Sequence, residues 1–566
     1  MARTGSTRPR FSRRLDCGIE SAAVVGERSA ALSRMHSLGL PVPSGFAITV
    51  DAFRAWRAAG EAIPADVWSE VSWRLEELTG ALGRGHGAPT SSLAVCASPP
   101  ERPPEPLSER GIGRAEGRDQ VLVEVPGGPP RHRWADVRRA VETLWRRHAE
   151  NMGDATAVIV HHLPGGSSGH GVIVSRDPAT GSPGAVISFT PAGLLDQREP
   201  NAEGVEPAML RHGLPDVHQA VEEAAVLLET AFGDMCAIRF VVDRGEVWLL
   251  DAFVPERSGS AAVRVAVDMI DEGFVGVQDA LRRIPLWALE QAQAPVFARP
   301  RELEVVSRAR PVAPGAAVGA AVFDPLEASE RAAAGEAVVL IAPAATAEEV
   351  VDQWAPSAVV LAGPPPRPFG CSAFAKRLAV CHALDLVIDH EHESARTASG
   401  HALHPGDPLS VDGRHGLVAA GEARLVAAPP DAHLARVLQW CDELRRTAIS
   451  GVAPAAWPRV ATPEAARELG EPRALIDLSR EPDAEGRTRG LREMVAALLG
   501  SGVSELGLAL PDRLWAWDPR PPSGPWRLVV AAPGLTWAAR LMAARMPLDK
   551  APAPSSVAPT AASQRG

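Results

Sequence analysis

The sequence predicts a multidomain chain that mixes α/β and α+β organisation, and three observations lead there. Its 566 residues exceed what one hydrophobic core organises. Helical and strand periodicities alternate as far as about Phe297. Beyond a linker near 298–310, a second set of apolar strands begins, including VVLIAP at 338–343 and AVVLAG at 358–363.

In the first region, Val217, Val221, Ala224, Leu228 and Ala231 keep helical spacing. IRFVVDRGEVWLLD at 238–251 reads as two strands around the turn Asp243-Arg244-Gly245-Glu246. A helix follows with Val263, Val267 and Ile270 on one face, and TAVIVHH, ending in His161 and His162, reads as a strand. The proline-rich SPPERPPEPL at 98–107 fits no regular element. In the second region, Thr346 and Glu349 form a capping box for the helix between the two strands. A helix from His433 to Arg446 leads to a last segment, where Thr462 and Pro463 start another helix.

Composition excludes some functions. Apolar residues make up 46% and charged ones 22%, an ordinary globular balance, while a net charge of −11 opposes general nucleic-acid binding. Arg3, Arg8, Arg10, Arg13 and Arg14 are expected to form a solvated, disordered arm over 1–19. The tail at 550–566, rich in Ala, Pro and Ser, is expected to be disordered too. The cysteines Cys17, Cys96, Cys236, Cys371, Cys381 and Cys441 are too scattered for a CxxC zinc site or a disulfide framework, which implies reduced thiols in a cytoplasmic protein. Neither a membrane span nor a signal peptide is discernible.

The run GERSAALSRMHSLGLPVPSGF at 26–46 resembles the opening of the nucleotide-binding domain of the pyruvate phosphate dikinase and phosphoenolpyruvate synthase family. GHGVIVSRDPATG (169–181), DMCAIRFVVDRGEVWLLD (234–251), AAVRVAVDMIDEGF (261–274), ARPVAPGAAVGAAVFDP (309–325), GDPLSVDG (406–413) and LQWCDELRR (438–446) follow in the family's order. The resemblance covers about 20–480. It implies an ATP-grasp-like domain at 20–297, a linker at 298–310 and a swivelling phosphohistidine-type domain at 311–425. A connecting helix and a truncated remnant of a phosphoenolpyruvate- or pyruvate-binding barrel would occupy 426–549.

Family chemistry needs particular groups at particular places. The family's first nucleotide lysine aligns with Arg28, which keeps the charge but alters its reach. The arginine of the phosphate loop aligns with Ala97, and prolines at 99, 100, 103, 104 and 106 remove N–H groups that would cradle phosphate. The metal-binding glutamate aligns with Arg239, and the following glutamine and arginine with Asp251 and Phe253. A guanidinium about 4 Å from a divalent ion would oppose its binding by roughly 8 kcal/mol at an effective dielectric near 20. Arg239 and Asp251 are therefore expected to pair across the hairpin where the metal would sit.

The carrier-histidine loop aligns with GPPPRPFGCSAFAKR at 363–377 and puts Gly370 at the histidine, leaving no side chain to phosphorylate. Cys371 reads as a small residue at a helix start, and His382 lies well beyond the loop. Arg480 matches one substrate arginine of the barrel, and the other falls near Trp457. Arg176 is retained from the family, with ligand binding and a turn-fixing salt bridge near Asp177 equally open. PGGSSGHGV at 164–172 reads as a turn between strands, and DHEHE at 389–393 as a solvated hairpin in preference to a metal site.

These substitutions imply a catalytically inactive family member with a scaffold or regulatory role. No metal or cofactor is expected; ATP and magnesium remain only if residual nucleotide binding survives. Another protein is the expected partner, with no nucleic acid or membrane, and the oligomeric state is undetermined. The alternative is a residual ATP-binding phosphotransferase that acts on an acceptor other than the carrier histidine.

Overall fold

The computed structural model describes residues 9–82, 90–100, 116–117, 120–126, 134–151, 155–164, 168–191, 207–292, 294–313, 315–343, 357–362, 379–383, 385–389, 394–428 and 430–444, with short segments at 449–450, 459–460, 473–477, 505–509, 526–529 and residue 541. Strands and helices mix throughout, and the chain divides into two compact units. Met1–Arg257 forms the bulk of the first, and the chain from Ser258 onward forms the bulk of the second.

Two antiparallel sheets build the first unit. The larger runs in the order Ser12–Arg14, Gly45–Ile48, Ala157–His162, Thr90–Ser98, Gln120–Pro126, Glu116–Gly117. One face carries Phe46, Ile48, Leu93, Val95, Val158 and Val160 and packs with Phe53, Trp56, Leu75, Leu144 and Trp145 from three helices. The opposite face supplies Ala94, Cys96 and Ile159 to a second core. Strand alternation explains the division, because neighbouring side chains point to opposite sides of a sheet.

The second core also holds Leu32 and Met35 of the helix Glu27–Ser37 and Val221 and Leu228 of the helix Pro215–Phe232. To it the smaller sheet contributes Ile173, Ile238, Phe240, Val242 and Leu249. Its order is Glu246–Phe253, Ala237–Asp243, Gly169–Arg176, Pro183–Pro191. The hairpin closes through Arg244 (φ 54°) and Gly245 (φ 85°). Both central residues are left-handed, as a two-residue turn matched to strand twist requires.

The basic arm needs correction over its last residues. Ser12–Arg14 is an edge strand paired with Gly45–Ile48, flanked by buried Phe11 and Leu15. Glu70 accepts the Phe11 amide (3.0 Å) and the Ser12 hydroxyl (2.6 Å), while Arg13 and Arg14 meet Glu20 and Glu77. Glu77, sixty-three residues on, takes part of the Arg14 charge, and Glu70, about sixty residues on, ties down the backbone that local composition assigns to solvent.

The helices Gly259–Asp271, Val277–Arg283 and Leu286–Ala292 belong to the second unit, although the resemblance assigned them to the first domain. Gly259–Asp271 packs against Leu286–Ala292 and Ala432–Leu444. An eight-stranded mixed sheet follows, ordered Glu304–Arg308, Leu417–Ala420, Pro408–Asp412, Ala316–Val322, Val338–Pro343, Ala358–Ala362, Ala379–Ala383, Arg310–Ala313. The expected linker at 298–310 thus contains a strand, since Val306 and Ser307 are buried against this sheet and Glu304–Arg308 pairs with Leu417–Ala420. Five parallel strands between Ile449 and Val529 form a separate sheet.

Candidate functional site

Arg28, Arg239, Asp251 and Phe253, singled out in the sequence, converge in the first unit. The strand Glu246–Phe253 supplies Asp251 and Phe253, and its neighbour Ala237–Asp243 supplies Arg239. Simple alternation would put Asp251 on the same side as Leu249, in the apolar core. A bulge prevents this. Register passes from Leu249 opposite Phe240 to Asp251 opposite Arg239, so Leu250 is an extra residue. One inserted residue reverses the facing of all that follow it, which carries Asp251 to the side of Arg239 and returns Ala252 to the core.

Arg28 arrives from the start of the helix Glu27–Ser37, and that start is fixed to the end of the strand Thr90–Ser98. The Glu27 amide donates to the Pro99 carbonyl (2.8 Å), the Ser29 amide donates to Ser98 Oγ (3.1 Å), and Ser98 Oγ donates to the Val25 carbonyl (3.0 Å). Gly26, at φ 78°, makes the contact sterically feasible. A Cβ there would fall 1.8 Å from the Ser98 carbonyl oxygen.

Asp251 Oδ2 lies 2.9 Å from Arg239 Nη1 and 3.3 Å from Arg28 Nη2. The Asp251 side chain is 0% exposed, whereas those of Arg28 and Arg239 are 11% and 12% exposed. The Arg239 guanidinium also stands 4.3 Å above the Phe253 ring centroid, a cation–π contact. One buried carboxylate between two guanidiniums leaves the group with a formal charge of +1. Burying the carboxylate alone would be prohibitive; the hydrogen-bonding Arg239 and the second guanidinium of Arg28 offset that penalty.

His161 shares this environment, which its reading as a strand terminus missed. It follows Ile159 by two positions on Ala157–His162 and so faces the same side of the sheet. Its Nδ1 lies 2.8 Å from the His162 carbonyl oxygen. A carbonyl only accepts, so Nδ1 carries the hydrogen. Burial pushes the imidazole down to about 4; the His162 hydrogen bond and the Asp251 charge resist, and the Arg28 charge assists. His161 is consequently neutral near pH 7. Alternation with Ile159 was the available signal, but no local pattern announces which charges lie across from that face.

Other sequence-derived candidates lie elsewhere. Ala97 is buried in the core that contains Val95 and Val158, and it directly precedes Ser98, whose hydroxyl holds the start of the helix carrying Arg28. Arg176 is buried and donates through Nε to Glu229 Oε1 at 2.8 Å. Val172 is the register partner of Arg239, and Arg176 stands four residues further along the strand, about 13 Å away. The turn after it is fixed by Asp177, whose carboxylate accepts the Ala179 and Thr180 amides. The salt bridge therefore ties the sheet to the helix Pro215–Phe232 and does not fix that turn.

The segment 163–168 joins strands of different sheets, with 165–167 outside the described residues. His382 is buried in Ala379–Ala383. Leu386–Asp389 and Ser394–Thr397 form a hairpin around 390–393. Those four residues, Gly370, Cys371, Trp457, Arg480 and the caps at Thr346, Glu349, Thr462 and Pro463 lie outside the described residues.

A magnesium ion does not fit the residues at Asp251. Magnesium takes oxygen ligands in a compact octahedron, yet the group offers one carboxylate that already faces two guanidiniums. Among the described residues, no three His, Cys, Asp or Glu side chains gather as a metal cluster. Nor is any described helix long and apolar enough to cross a membrane.

No family model matches the chain. Curated relatives do, and the three that follow are named as dikinases. "Pyruvate, phosphate dikinase" from Clostridium symbiosum is 28% identical over 346 residues, covering 58% of this chain and 38% of the relative. The rice protein "Pyruvate, phosphate dikinase 1, chloroplastic" is 25% identical over 582 residues, with coverages of 84% and 60%. Its counterpart from Flaveria pringlei is 22% identical over 524 residues, with coverages of 75% and 54%. The chain is similar to the pyruvate, phosphate dikinase family, and it spans 38–60% of the length of these three relatives. Among solved structures, a biotin carboxylase complex from Campylobacter jejuni matches with a TM-score of 0.22 at 13% identity, covering 44% of this chain and 45% of that one. D-alanine-D-alanine ligase from Helicobacter pylori gives 0.21 at 13% identity, with coverages of 44% and 61%. Scores this low carry no argument.

Proposed function

We propose that this chain is a catalytically inactive member of the dikinase family with a scaffold or regulatory role in the cytoplasm, acting through another protein and without magnesium or a bound cofactor. One observation carries the reading: the fully buried Asp251 carboxylate is held between Arg28 and Arg239. Aligned with the family's metal-binding glutamate, Arg239 puts cationic charge where a nucleotide-loading domain needs acidic oxygen ligands, which supports this reading. The sequence supports the same reading independently, because Gly370 aligns with the family's carrier histidine and cannot accept phosphate.

Incubating the purified chain with magnesium and ATP labelled in the β and γ positions tests this directly. The expected outcome is neither AMP release nor label on the protein. AMP production accompanied by acid-labile protein phosphate would overturn the reading.

A further inference from the structure

Arg239 presents an unusual solution to a general problem. A carboxylate removed from water needs a compensating cation, supplied either by a bound metal or by the chain itself. In the first unit the chain supplies it. The Leu250 bulge aims Asp251 at Arg239, whose guanidinium also lies 4.3 Å from the Phe253 ring centroid, and Arg28 adds a second cation. We propose that Arg239 is a built-in substitute for a divalent cation at Asp251, so that this domain reaches its folded state without metal and excludes metal from that position.

This inference deepens the magnesium-free part of that reading and rests on it, while its test is separate from that of catalytic inactivity. A chain that bound manganese at Asp251 could still lack transferase activity, and a metal-free site could still admit a nucleotide. The proposal concerns only which cation the buried carboxylate takes. Arg239 and Asp251 are register partners on adjacent antiparallel strands, where Cβ atoms stand about 5 Å apart. An acidic side chain at position 239 would therefore set two carboxylates facing each other, a local arrangement suited to a hard divalent ion.

Manganese, detected by the loss of its free-ion paramagnetic resonance signal and by the thermal unfolding midpoint, is the probe. The wild-type chain should show no saturable binding and the same midpoint in EDTA and in excess manganese. Arg28 stays 3.3 Å from Asp251 in any variant of Arg239 alone and would itself oppose a divalent ion, so both arginines are replaced. Arg28→Gln/Arg239→Glu should bind one equivalent of manganese, with a higher midpoint in manganese than in EDTA. Adding Asp251→Asn should abolish that binding. A wild-type chain that takes one manganese ion, released by Asp251→Asn, would overturn the proposal, as would a folded Arg28→Gln/Arg239→Glu variant that binds none. Should that variant fail to fold in either medium, Arg28→Gln/Arg239→Gln decides: a manganese-dependent rise in its midpoint supports the built-in cation, and a folded, metal-indifferent variant refutes it.

Discussion

Asp251 in the first unit and Asp271 in the second both meet arginine at close range, 2.9 Å from Arg239 Nη1 and 2.6 Å from Arg436 Nη1. Distance alone would rank the second pair as the stronger. Surroundings reverse the order. Asp251 is fully buried and faces a second guanidinium from Arg28, whereas the Asp271 and Arg436 side chains are 49% and 44% exposed. Water already solvates the exposed pair, so forming it yields little. No water offsets the loss of a partner at the buried one. Identical residue types thus serve a structural charge balance in one region and a surface contact in the other.

The largest expected effect breaks the buried side of this contrast. Asp251→Ala removes the buried carboxylate that Arg28 and Arg239 both face, and removal of one partner from a buried pair typically destabilises by about 3–5 kcal/mol. Urea denaturation of the first unit should show a loss of that order. A loss below about 1 kcal/mol, the range of surface ion pairs, would mean that the two guanidiniums reach water readily and that burial is not what distinguishes the two regions.

The next effect sharpens the contrast through pH. His161 is neutral in the folded state because burial pushes its imidazole down to about 4 from an ordinary 6.5. Above pH 6.5 neither folded nor unfolded chain protonates it. Between 6.5 and 4 the unfolded chain takes up a proton that the folded chain refuses, so stability is fully present above 6.5 and falls as the pH drops towards 4. The window corresponds to about 3 kcal/mol. His161→Asn, which keeps an N–H for the His162 carbonyl, should flatten that part of the stability profile. If urea midpoints of wild type and variant fall in parallel from pH 7 to 4.5, the imidazole is not buried neutral and the environment of Asp251 is wetter than its contacts imply.

Local rules made parts of this molecule legible. The hairpin around Arg244 and Gly245 was readable because its turn requires left-handed residues between two β-branched runs, and the helix Pro215–Phe232 because its apolar spacing is regular. The pairing of Arg239 with Asp251 was marked by family resemblance alone, since the hairpin register without a bulge would set Leu250 opposite Arg239. What escaped depended on distant partners. The Leu250 bulge has no compositional mark, since Leu249, Leu250 and Ala252 are all apolar and any facing would look acceptable. Arg28 joins the site through a serine and a proline about seventy residues away. The helix Gly259–Asp271 carries small and apolar residues on most sides, so its sequence did not specify which neighbours it would pack against.

The smallest expected effect lies at the exposed pair. Arg436 contacts Asp271 bidentately, through Nη1 to Oδ2 and Nη2 to Oδ1, and its guanidinium lies 5.0 Å from the Trp440 ring centroid. The hydrogen bonds from Arg436 hold the Asp271 carboxyl below its ordinary range. That shift is a local property: in an exposed position, solvent screening separates it from the energy of folding. Arg436→Ala should therefore raise the titration of Asp271, followed through its side-chain carbon resonance, and leave the thermal midpoint indistinguishable from wild type. Any pH dependence the pair adds should be present above the unfolded carboxylate range and lost as the pH falls through the lower folded one, and it should fade further at high salt. A loss in Arg436→Ala as large as that in Asp251→Ala would erase the distinction between the two regions and shift the explanation from burial to bidentate geometry.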